Sequence, residues 1–242
     1  DKKWTTRKFE AHLVNPANAR TMRVRLRGAE WRVIATDGGP LPTPYDAPSI
    51  EISPGQRFEL EVRYTEPAEV VFESLVDSAD ANGTVITEPF PLFTGTVEAA
   101  APAPEWRFVA PPRAPGRRAT VQSLIELDGM NMDDGLHWMI NGQEHGGHGP
   151  MFTFQKGDVV EMTLTNLQGP MHPFHLHGQF FEIYPDNPAA RAQPGLKDVV
   201  LIPGLSSVRI RAYMDNPGEW MMHCHILEHA ELGMMATFVV EP

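Results

Sequence analysis

Two short segments of this chain concentrate the side chains that bind soft metal ions. Residues 172–178 read HPFHLHG and residues 223–234 read HCHILEHAELGM. Together they hold six of the ten histidines and the single cysteine of the chain. No folding requirement concentrates imidazole groups in this way, so the pattern favours a metal-binding function.

The spacing around Cys224 indicates which metal. One thiolate, two imidazoles and a weak thioether form the ligand set of a blue-copper electron-transfer centre. His229 and Met234 follow Cys224 at intervals of five residues, and His172 supplies a second imidazole from the other segment. We therefore predict a type 1 copper site with three equatorial ligands and Met234 as the axial ligand. The equatorial ligands are His172, Cys224 and His229.

Strand periodicity predicts a second metal environment directly behind the first. The segment EWMMHCH, which ends at His225, follows the turn signal DNPG and is typical of a strand. Successive side chains of a strand point to opposite faces, so Cys224 points one way and His223 and His225 point the other. The same rule places His175 and His177 on one face. Cys224 and its sequence neighbours would then form a short covalent path for electrons between two copper environments.

The two segments resemble the C-terminal copper motifs of the multicopper oxidases, the family of the laccases and cuprous oxidases. Members of that family take single electrons from a reducing substrate at a type 1 copper. A His-Cys-His bridge passes the electrons to a trinuclear copper cluster, where dioxygen becomes water. The resemblance implies that His175 binds the type 2 copper and that three histidines bind the type 3 coppers. These three are His177, His223 and His225.

The resemblance also implies which residues take part in the reaction. Cys224, His223 and His225 would carry the electrons between the copper sites. Glu228 lies inside the ligand loop, and a carboxylate there can feed protons toward the cluster, since dioxygen reduction consumes four. The alternative for Glu228 is a solvated side chain without a catalytic role. Asp198 could similarly fix the tautomer of a ligand imidazole, and its alternative is a turn or strand-edge aspartate.

The chain departs from the family pattern in its number of histidine pairs. The family builds its trinuclear cluster from eight histidines, arranged as four His-x-His pairs. This sequence has two such pairs, at 175/177 and 223/225. Its remaining histidines form none, and they are His12, His137, His145 and His148. We therefore expect an N-terminal cupredoxin domain, from the same precursor or from a second chain, to supply the other half of the cluster.

The beginning of the chain supports that expectation. Residues 10–45 resemble the opening of the middle domain of a three-domain multicopper oxidase, with an Asn-Ala-Arg turn followed by the strand end IATDGG. The resemblance implies that the chain comprises the middle and C-terminal domains. It would be a proteolysed fragment, or one half of an enzyme whose other half is a separate chain.

Composition and patterning predict an all-β protein of two cupredoxin-like Greek-key sandwiches. With 242 residues, the chain can bury two cores of that size, and its 23 prolines and 20 glycines suit many turns. We expect a first domain without copper ligands at 1–98, a Pro/Ala-rich linker at 99–117 and a copper-binding domain at 118–242. Alternation at 50–64 and 206–214 indicates strands with one buried face.

Charge and hydropathy exclude other classes of protein. The net charge of −11 argues against nucleic-acid binding, which needs clustered Lys and Arg. No apolar run reaches the roughly 18 residues of a membrane span. The resemblance implies a periplasmic or secreted enzyme that uses dioxygen and a phenolic, aromatic amine or metal-ion reductant.

Alternative functions remain open at this stage. A mononuclear blue-copper electron carrier would need only the type 1 ligands and would leave four histidines without a purpose. A copper-free scaffold that only binds partners would have no reason to keep every expected ligand. A cuprous oxidase could use the methionines and histidines of segment 128–151 to deliver Cu(I), but we favour the alternative of a mobile Gly-rich loop with core methionines. Trp138 is expected to serve packing.

Overall fold

The computed structural model describes residues 7–64, 68–79, 84–97, 118–146, 149–188 and 193–242. These ranges form four β-sheets with one short helix, α1 (Leu227–Glu231), between the predicted ligands Cys224 and Met234. The predicted all-β class with two cupredoxin-like sandwiches is confirmed. Among the described residues, no helix is both long and apolar enough to cross a bilayer.

Eight strands build the N-terminal sandwich. They are β1 (Arg7–Val14), β2 (Met22–Arg27), β3 (Glu30–Thr36), β4 (Gly39–Tyr45), β5 (Ile50–Ile52), β6 (Arg57–Tyr64), β7 (Ala68–Ala79) and β8 (Val85–Val97). One sheet has the order β1-β6-β3-β4 and the other the order β5-β2-β7-β8. Phe58, Leu60 and Val62 alternate along β6 and are buried in the core, as the pattern of the sequence predicted. On the opposite face Glu61 is also buried, because it pairs with Arg32.

Ten strands build the C-terminal sandwich. They are β9 (Val121–Met132), β10 (Gly135–Ile140), β11 (Phe152–Gln155), β12 (Val159–Asn166), β13 (His172–Leu176), β14 (Phe180–Ile183), β15 (Val199–Ile202), β16 (Ser207–Tyr213), β17 (Gly218–Cys224) and β18 (Met235–Glu241). The sheets have the orders β10-β9-β12-β16-β14 and β11-β18-β17-β13-β15. Val208, Ile210 and Ala212 face the core from β16, which confirms the alternation predicted there. The parallel pairs β12–β9 and β11–β18 require crossover connections, as Greek-key sandwiches do.

The second sheet of the C-terminal sandwich brings the two metal-binding segments together. β13 carries the first segment and pairs antiparallel with β17, which carries the second. In this register Phe174 lies opposite Cys224, and His175 lies opposite His223. α1 then follows β17 and returns the chain to β18, so that His229 and Met234 come back beside Cys224.

Polar contacts join the two sandwiches near the metal-binding segments. Leu196 accepts two hydrogen bonds with its carbonyl, from the Gly38 amide at 2.9 Å and the Thr36 hydroxyl at 2.8 Å. Arg57 binds both carboxylate oxygens of Asp198, at 2.6 and 2.8 Å. The predicted linker at 99–117 lies outside the described residues.

Candidate metal centres

Three side chains converge on one point beside the end of β17. We call them the cysteine group: His172, Cys224 and His229. The Cys224 Sγ lies 3.5 Å from Nδ1 of His172 and 3.6 Å from Nδ1 of His229. The two Nδ1 atoms are 3.1 Å apart. The group therefore presents two imidazole nitrogens and one sulfur at the corners of a nearly equilateral triangle.

The triangle has the size of a metal coordination site. A triangle with these sides has its centre about 2.0 Å from each corner, close to the roughly 2.0–2.3 Å at which imidazole nitrogen and thiolate sulfur bind zinc, a metal ion of similar size. Soft sulfur with two imidazoles is also the equatorial donor set of blue-copper proteins. The residues present therefore fit a copper ion without rearrangement of their donor atoms.

Burial keeps this site electrically neutral while it holds no metal. It raises the pKa of the Cys224 thiol to about 12. Burial, together with His229, lowers the pKa of His172 to about 4, and burial also lowers the pKa of His229. The thiol is then protonated and both imidazoles are neutral at pH 7. Neutral imidazole is the form that ligates a metal, and the thiol must release its proton to do so.

A tight loop holds the fourth predicted ligand next to this group. Met234 is fully buried. Its carbonyl accepts the Cys224 amide at 3.1 Å, and its amide donates to the His229 carbonyl at 2.8 Å. The sulfur of Cys224 also accepts the Ile226 amide at 3.4 Å. Backbone hydrogen bonds thus fix Cys224, His229 and Met234 relative to one another.

Three further imidazoles meet close to the cysteine group. We call them the histidine group: His175, His177 and His223, whose donor atoms all lie within 4.8 Å of one another. Nε2 of His177 and Nε2 of His223 are 3.0 Å apart. Two imidazole nitrogens at this distance can bind the same metal ion, with about 2.0 Å from each nitrogen to the metal.

Backbone carbonyls orient two members of the histidine group. Nδ1 of His175 donates to the Asp198 carbonyl at 2.8 Å, and Nδ1 of His223 donates to the Cys224 carbonyl at 2.8 Å. In the neutral ring this leaves Nε2 of each residue free to bind a metal, the arrangement usual for metal-binding histidines. Asp198 thus acts through its main chain, and its carboxylate lies 3.8 Å from the His175 ring.

The two groups meet at neighbouring residues of strand β17, whose side chains point to opposite faces. The Cys224 side chain belongs to one group, and its neighbour His223 belongs to the other. The hydrogen bond from His223 to the Cys224 carbonyl provides a second connection between the two residues. The two donor groups are therefore joined both through covalent bonds and through one short hydrogen bond.

Two predicted site residues lie apart from these groups. The His225 ring centroid is 5.8 Å from those of His175 and His223, and the ring packs against Gly55 of the N-terminal sandwich. Glu228 is exposed in the first turn of α1, beside His229. It lies next to the cysteine group, on the side where the chain meets solvent.

Two neighbours of the site have contacts that sequence analysis did not predict. Trp138 was expected to serve packing, yet its ring stacks on His229 with centroids 4.0 Å apart. Arg57, in the N-terminal sandwich, binds the carboxylate of Asp198. The carbonyl of Asp198 in turn orients His175. The sequence gives only weak signals for these contacts. Trp138 precedes an Asn-Gly turn in an ordinary strand, and Arg57 is 141 residues from Asp198.

Comparison with known proteins shows the family to which this chain belongs. The family model described as multicopper oxidase matches residues 116–242. A multicopper oxidase of Staphylococcus epidermidis is 29% identical over 241 residues, which cover 96% of this chain and 48% of the relative. The iron transport multicopper oxidase fio1 of Schizosaccharomyces pombe is 33% identical over 140 residues, which cover 50% of this chain and 21% of the relative.

Solved structures show the same fold. The multicopper oxidase McoA of Aquifex aeolicus superposes with a TM-score of 0.81 at 24% identity, covering 97% of this chain and 56% of that one. The laccase-like oxidase CueO of an Ochrobactrum species gives a TM-score of 0.77 at 25% identity, with the same two coverages. The chain spans about half the length of the staphylococcal relative. The family model covers more than half of this chain, including both groups of donor atoms, and the chain belongs to the multicopper oxidase family.

Proposed function

We propose that this chain is the middle and C-terminal part of a laccase-like multicopper oxidase. The complete enzyme would oxidise a reducing substrate one electron at a time and reduce dioxygen to water. The observation that carries this proposal is the position of Cys224 and His223, adjacent residues of one strand that belong to two different groups of metal-binding donors.

The proposed ligands follow from these groups. Type 1 copper would be held by His172, Cys224, His229 and the axial Met234. His175 would hold type 2 copper, and the type 3 ligands would be His177, His223 and His225. Bound copper would supply one-electron redox chemistry and the reduction of dioxygen. Two distances support this proposal. The centre of the cysteine group lies about 2.0 Å from each of its three donor atoms, and the Nε2 atoms of His177 and His223 are 3.0 Å apart.

His225 fits its proposed role less directly than the other ligands. Its ring centroid lies 5.8 Å from those of His175 and His223, whereas the centroids of the three members lie 4.3 to 5.4 Å from one another. Gly55 lies against the Cδ2 and Nε2 side of the ring, while Nδ1 is buried without a hydrogen-bond partner among the described residues. We propose that the ring turns to ligate when the remaining ligands of the cluster are in place.

We propose that further polypeptide supplies the rest of the cluster. The sequence offers four histidines in two His-x-His pairs, and the family's cluster needs eight. We propose an N-terminal cupredoxin domain, in the same precursor or in a separate chain, as the source of the others. Dioxygen and a phenol, an aromatic amine or a reduced metal ion are the proposed substrates, and the periplasm or the extracellular space is the proposed location.

Glu228 is proposed as a proton carrier for the reduction of dioxygen. Its exposed position allows direct exchange of protons with water. The expected result of Glu228→Gln is a loss of turnover that becomes larger as the pH rises, with copper content and spectra unchanged. Glu231→Gln is the matched control, since Glu231 is exposed on the same helix. Equal activity of the two variants would remove Glu228 from the mechanism.

One observation favours a metal ion as the reductant. A cavity of about 250 Å³ opens beside Met235, the neighbour of the proposed axial ligand. Its lining includes two carboxylates, an imidazole and two thioethers, from Glu144, Glu219, His145, Met151 and Met235. These donors suit Cu(I) or Fe(II) better than an uncharged phenol. Met151→Leu and Glu219→Gln would then raise KM for metal ions and leave KM for phenols unchanged.

Copper analysis of the purified chain tests the proposal. After loading with Cu(II), we expect one tightly bound copper that gives a blue absorption band and a type 1 EPR signal. Cys224→Ser should abolish both signals without unfolding the protein. The chain alone should not consume dioxygen with a phenol, because it lacks half of the cluster ligands. A folded, copper-loaded chain without the blue band would contradict the type 1 assignment, and sustained turnover by the chain alone would contradict the proposed half-cluster.

A mononuclear electron carrier is the competing function. It would bind the same single blue copper and would never support dioxygen reduction. The two functions separate when the chain is mixed with an N-terminal cupredoxin domain from its own source. Four coppers per assembly together with oxidase activity support the oxidase, whereas one copper and no activity support the carrier.

A further inference from the structure

We propose that Trp138 is a positioning residue of the type 1 copper site: its indole fixes the ring of His229 and closes that side of the site to water. The inference rests on the proposed function, because it takes the cysteine group to be the type 1 site. It concerns a side chain that is not a ligand and that lies on a different strand from every ligand.

One indole contacts both imidazoles of the cysteine group. The rings of Trp138 and His229 are stacked, with centroids 4.0 Å apart and an interplanar angle of 26°. The same indole meets His172 edge to face, at 5.2 Å and 76°. Stacked and edge-to-face contacts are the preferred geometries of aromatic pairs. The indole therefore restricts rotation of the two rings whose Nδ1 atoms face Cys224.

The position of the indole is itself fixed from two sides. Trp138 lies directly opposite Gly129 in the β9–β10 pair. A Cβ atom at Gly129 would come within 2.7 Å of two indole carbons, so the glycine leaves the space that the ring occupies. On the other side, the Trp138 amide donates to the Leu232 carbonyl at 2.9 Å, at the end of α1. This hydrogen bond ties the strand to the loop that carries His229.

Trp138 also limits access of water to the site. His172 and Cys224 are fully buried, whereas His229 is partly exposed. Trp138 is itself 6% exposed and covers one face of the His229 ring. Hydrophobic surroundings of the cysteine sulfur tune the reduction potential of blue copper. Because water stabilises Cu(II) more than Cu(I), exclusion of water by the indole raises that potential.

Substitution of Trp138 in the copper-loaded chain tests the inference. We expect Trp138→Ala to lower the reduction potential, measured by redox titration of the blue band. We also expect copper to be lost to a chelator about tenfold faster, the lower end of the effect typical of groups that orient metal ligands. Trp138→Phe keeps an aromatic stack and should restore most of both properties. Trp31→Ala is the matched control, because Trp31 is partly buried in the other sandwich.

Tryptophan fluorescence gives a second measurement that needs no activity. Titration of the metal-free chain with Cu(II) should quench the indole stacked on a ligand most strongly. Trp138→Phe should therefore remove the largest share of the quenching, and Trp31→Phe should remove little. This phenylalanine variant also covers the case in which Trp138→Ala does not fold.

The outcomes separate this inference from the proposal beneath it. A folded Trp138→Ala variant with the potential and copper-loss rate of Trp31→Ala would overturn the role of Trp138 while leaving the type 1 site intact. Quenching unaffected by Trp138→Phe would overturn it in the same way. A wild-type chain that binds Cu(II) without a blue band would overturn both the inference and the type 1 assignment.

Discussion

At the scale of single residues, burial sets the protonation state in which the cysteine group would bind a metal ion. The thiol of Cys224 has a pKa raised to about 12, and His172 has one lowered to about 4. The pKa of His229 is also lowered, so at pH 7 the metal-free site carries no charge and is stable in a core that excludes water. A bound metal ion would replace the thiol proton and pair with the resulting thiolate, so the same pocket could be apolar and still bind a metal.

The axial position offers a prediction at this scale. A fourth, axial donor adds electron density that favours the higher charge of Cu(II), so its loss in Met234→Leu should keep the blue band and raise the reduction potential. Met214→Leu is the matched control, because Met214 is equally buried in the same core and lies outside the ligand loop. Redox titration of both variants measures the effect. Identical potentials would show that Met234 is not a ligand.

At the scale of elements, a turn of the N-terminal sandwich contacts the chain immediately after β17. Gly55, between β5 and β6, has a φ of +83° and lies against the ring of His225. A Cβ atom there would be 2.4 Å from the imidazole Cδ2. The glycine is thus required twice, by its backbone conformation and by the ring beside it.

Alanine substitutions can separate those two requirements. Gly39→Ala places a side chain at a φ of +105° with open space around it and should cost about 1–2 kcal/mol of unfolding free energy. Gly55→Ala adds a clash with His225 and should cost at least about 1 kcal/mol more. Denaturant unfolding gives both values, and NMR of the histidine rings should show a shift of His225 in Gly55→Ala alone. Equal costs with no shift of His225 would contradict the contact.

Some of the strands and loops could be predicted from the sequence, and some of their contacts could not. Alternation identified β6 and β16, because each has one face in a core, and the ligand spacing identified the loop around α1. The stack of Trp138 on His229 could not be predicted, because it depends on the pairing of β10 with β9, which places Trp138 opposite a glycine. The separation of His225 from the histidine group could not be predicted either, because it depends on a contact with Gly55 of the other sandwich. Local periodicity contains neither piece of information.

At the scale of the whole molecule, buried charges connect the two sandwiches. Lys197 and Asp37 both have fully buried side chains and lie 3.7 Å apart across the boundary. Burial lowers the pKa of Lys197 and raises that of Asp37. Arg57 extends the contact, since its amide donates to the Asp37 carboxylate and its guanidinium binds Asp198. The pair is 160 residues apart in the sequence and could not be predicted from composition or alternation.

Removal of both partners should cost less unfolding free energy than the sum of the two single removals. Lys197→Met or Asp37→Asn leaves a buried charge without its partner, which typically costs about 3–5 kcal/mol. The double variant leaves no such charge and keeps an oxygen acceptor for the Arg57 amide, so it should cost clearly less than the sum of the single variants. Thermal and denaturant unfolding measure all three. Additive costs would show that the two residues do not interact.

Alkaline pH provides a separate test of the N-terminal core. Burial raises the pKa of Tyr45 to about 12 from 10.0, so between these values the folded protein keeps a proton that the unfolded chain releases. Stability is therefore fully present below pH 10 and falls as the pH rises toward 12. Tyr45→Phe should show a shallower fall over this range in denaturant titrations. A fall as steep as that of the wild type would contradict the buried position of the hydroxyl.

Copper anomalous scattering from crystals of the copper-loaded chain locates each metal ion relative to the sulfur of Cys224, on which the whole assignment depends. We expect one strong peak inside the triangle of His172, Cys224 and His229, on one side of β17. The histidines on the other side, His177 and His223, should flank a second peak when the partner domain is present. A Cys224 thiol without copper, in a crystal whose copper lies elsewhere, would rule out a type 1 site at this cysteine.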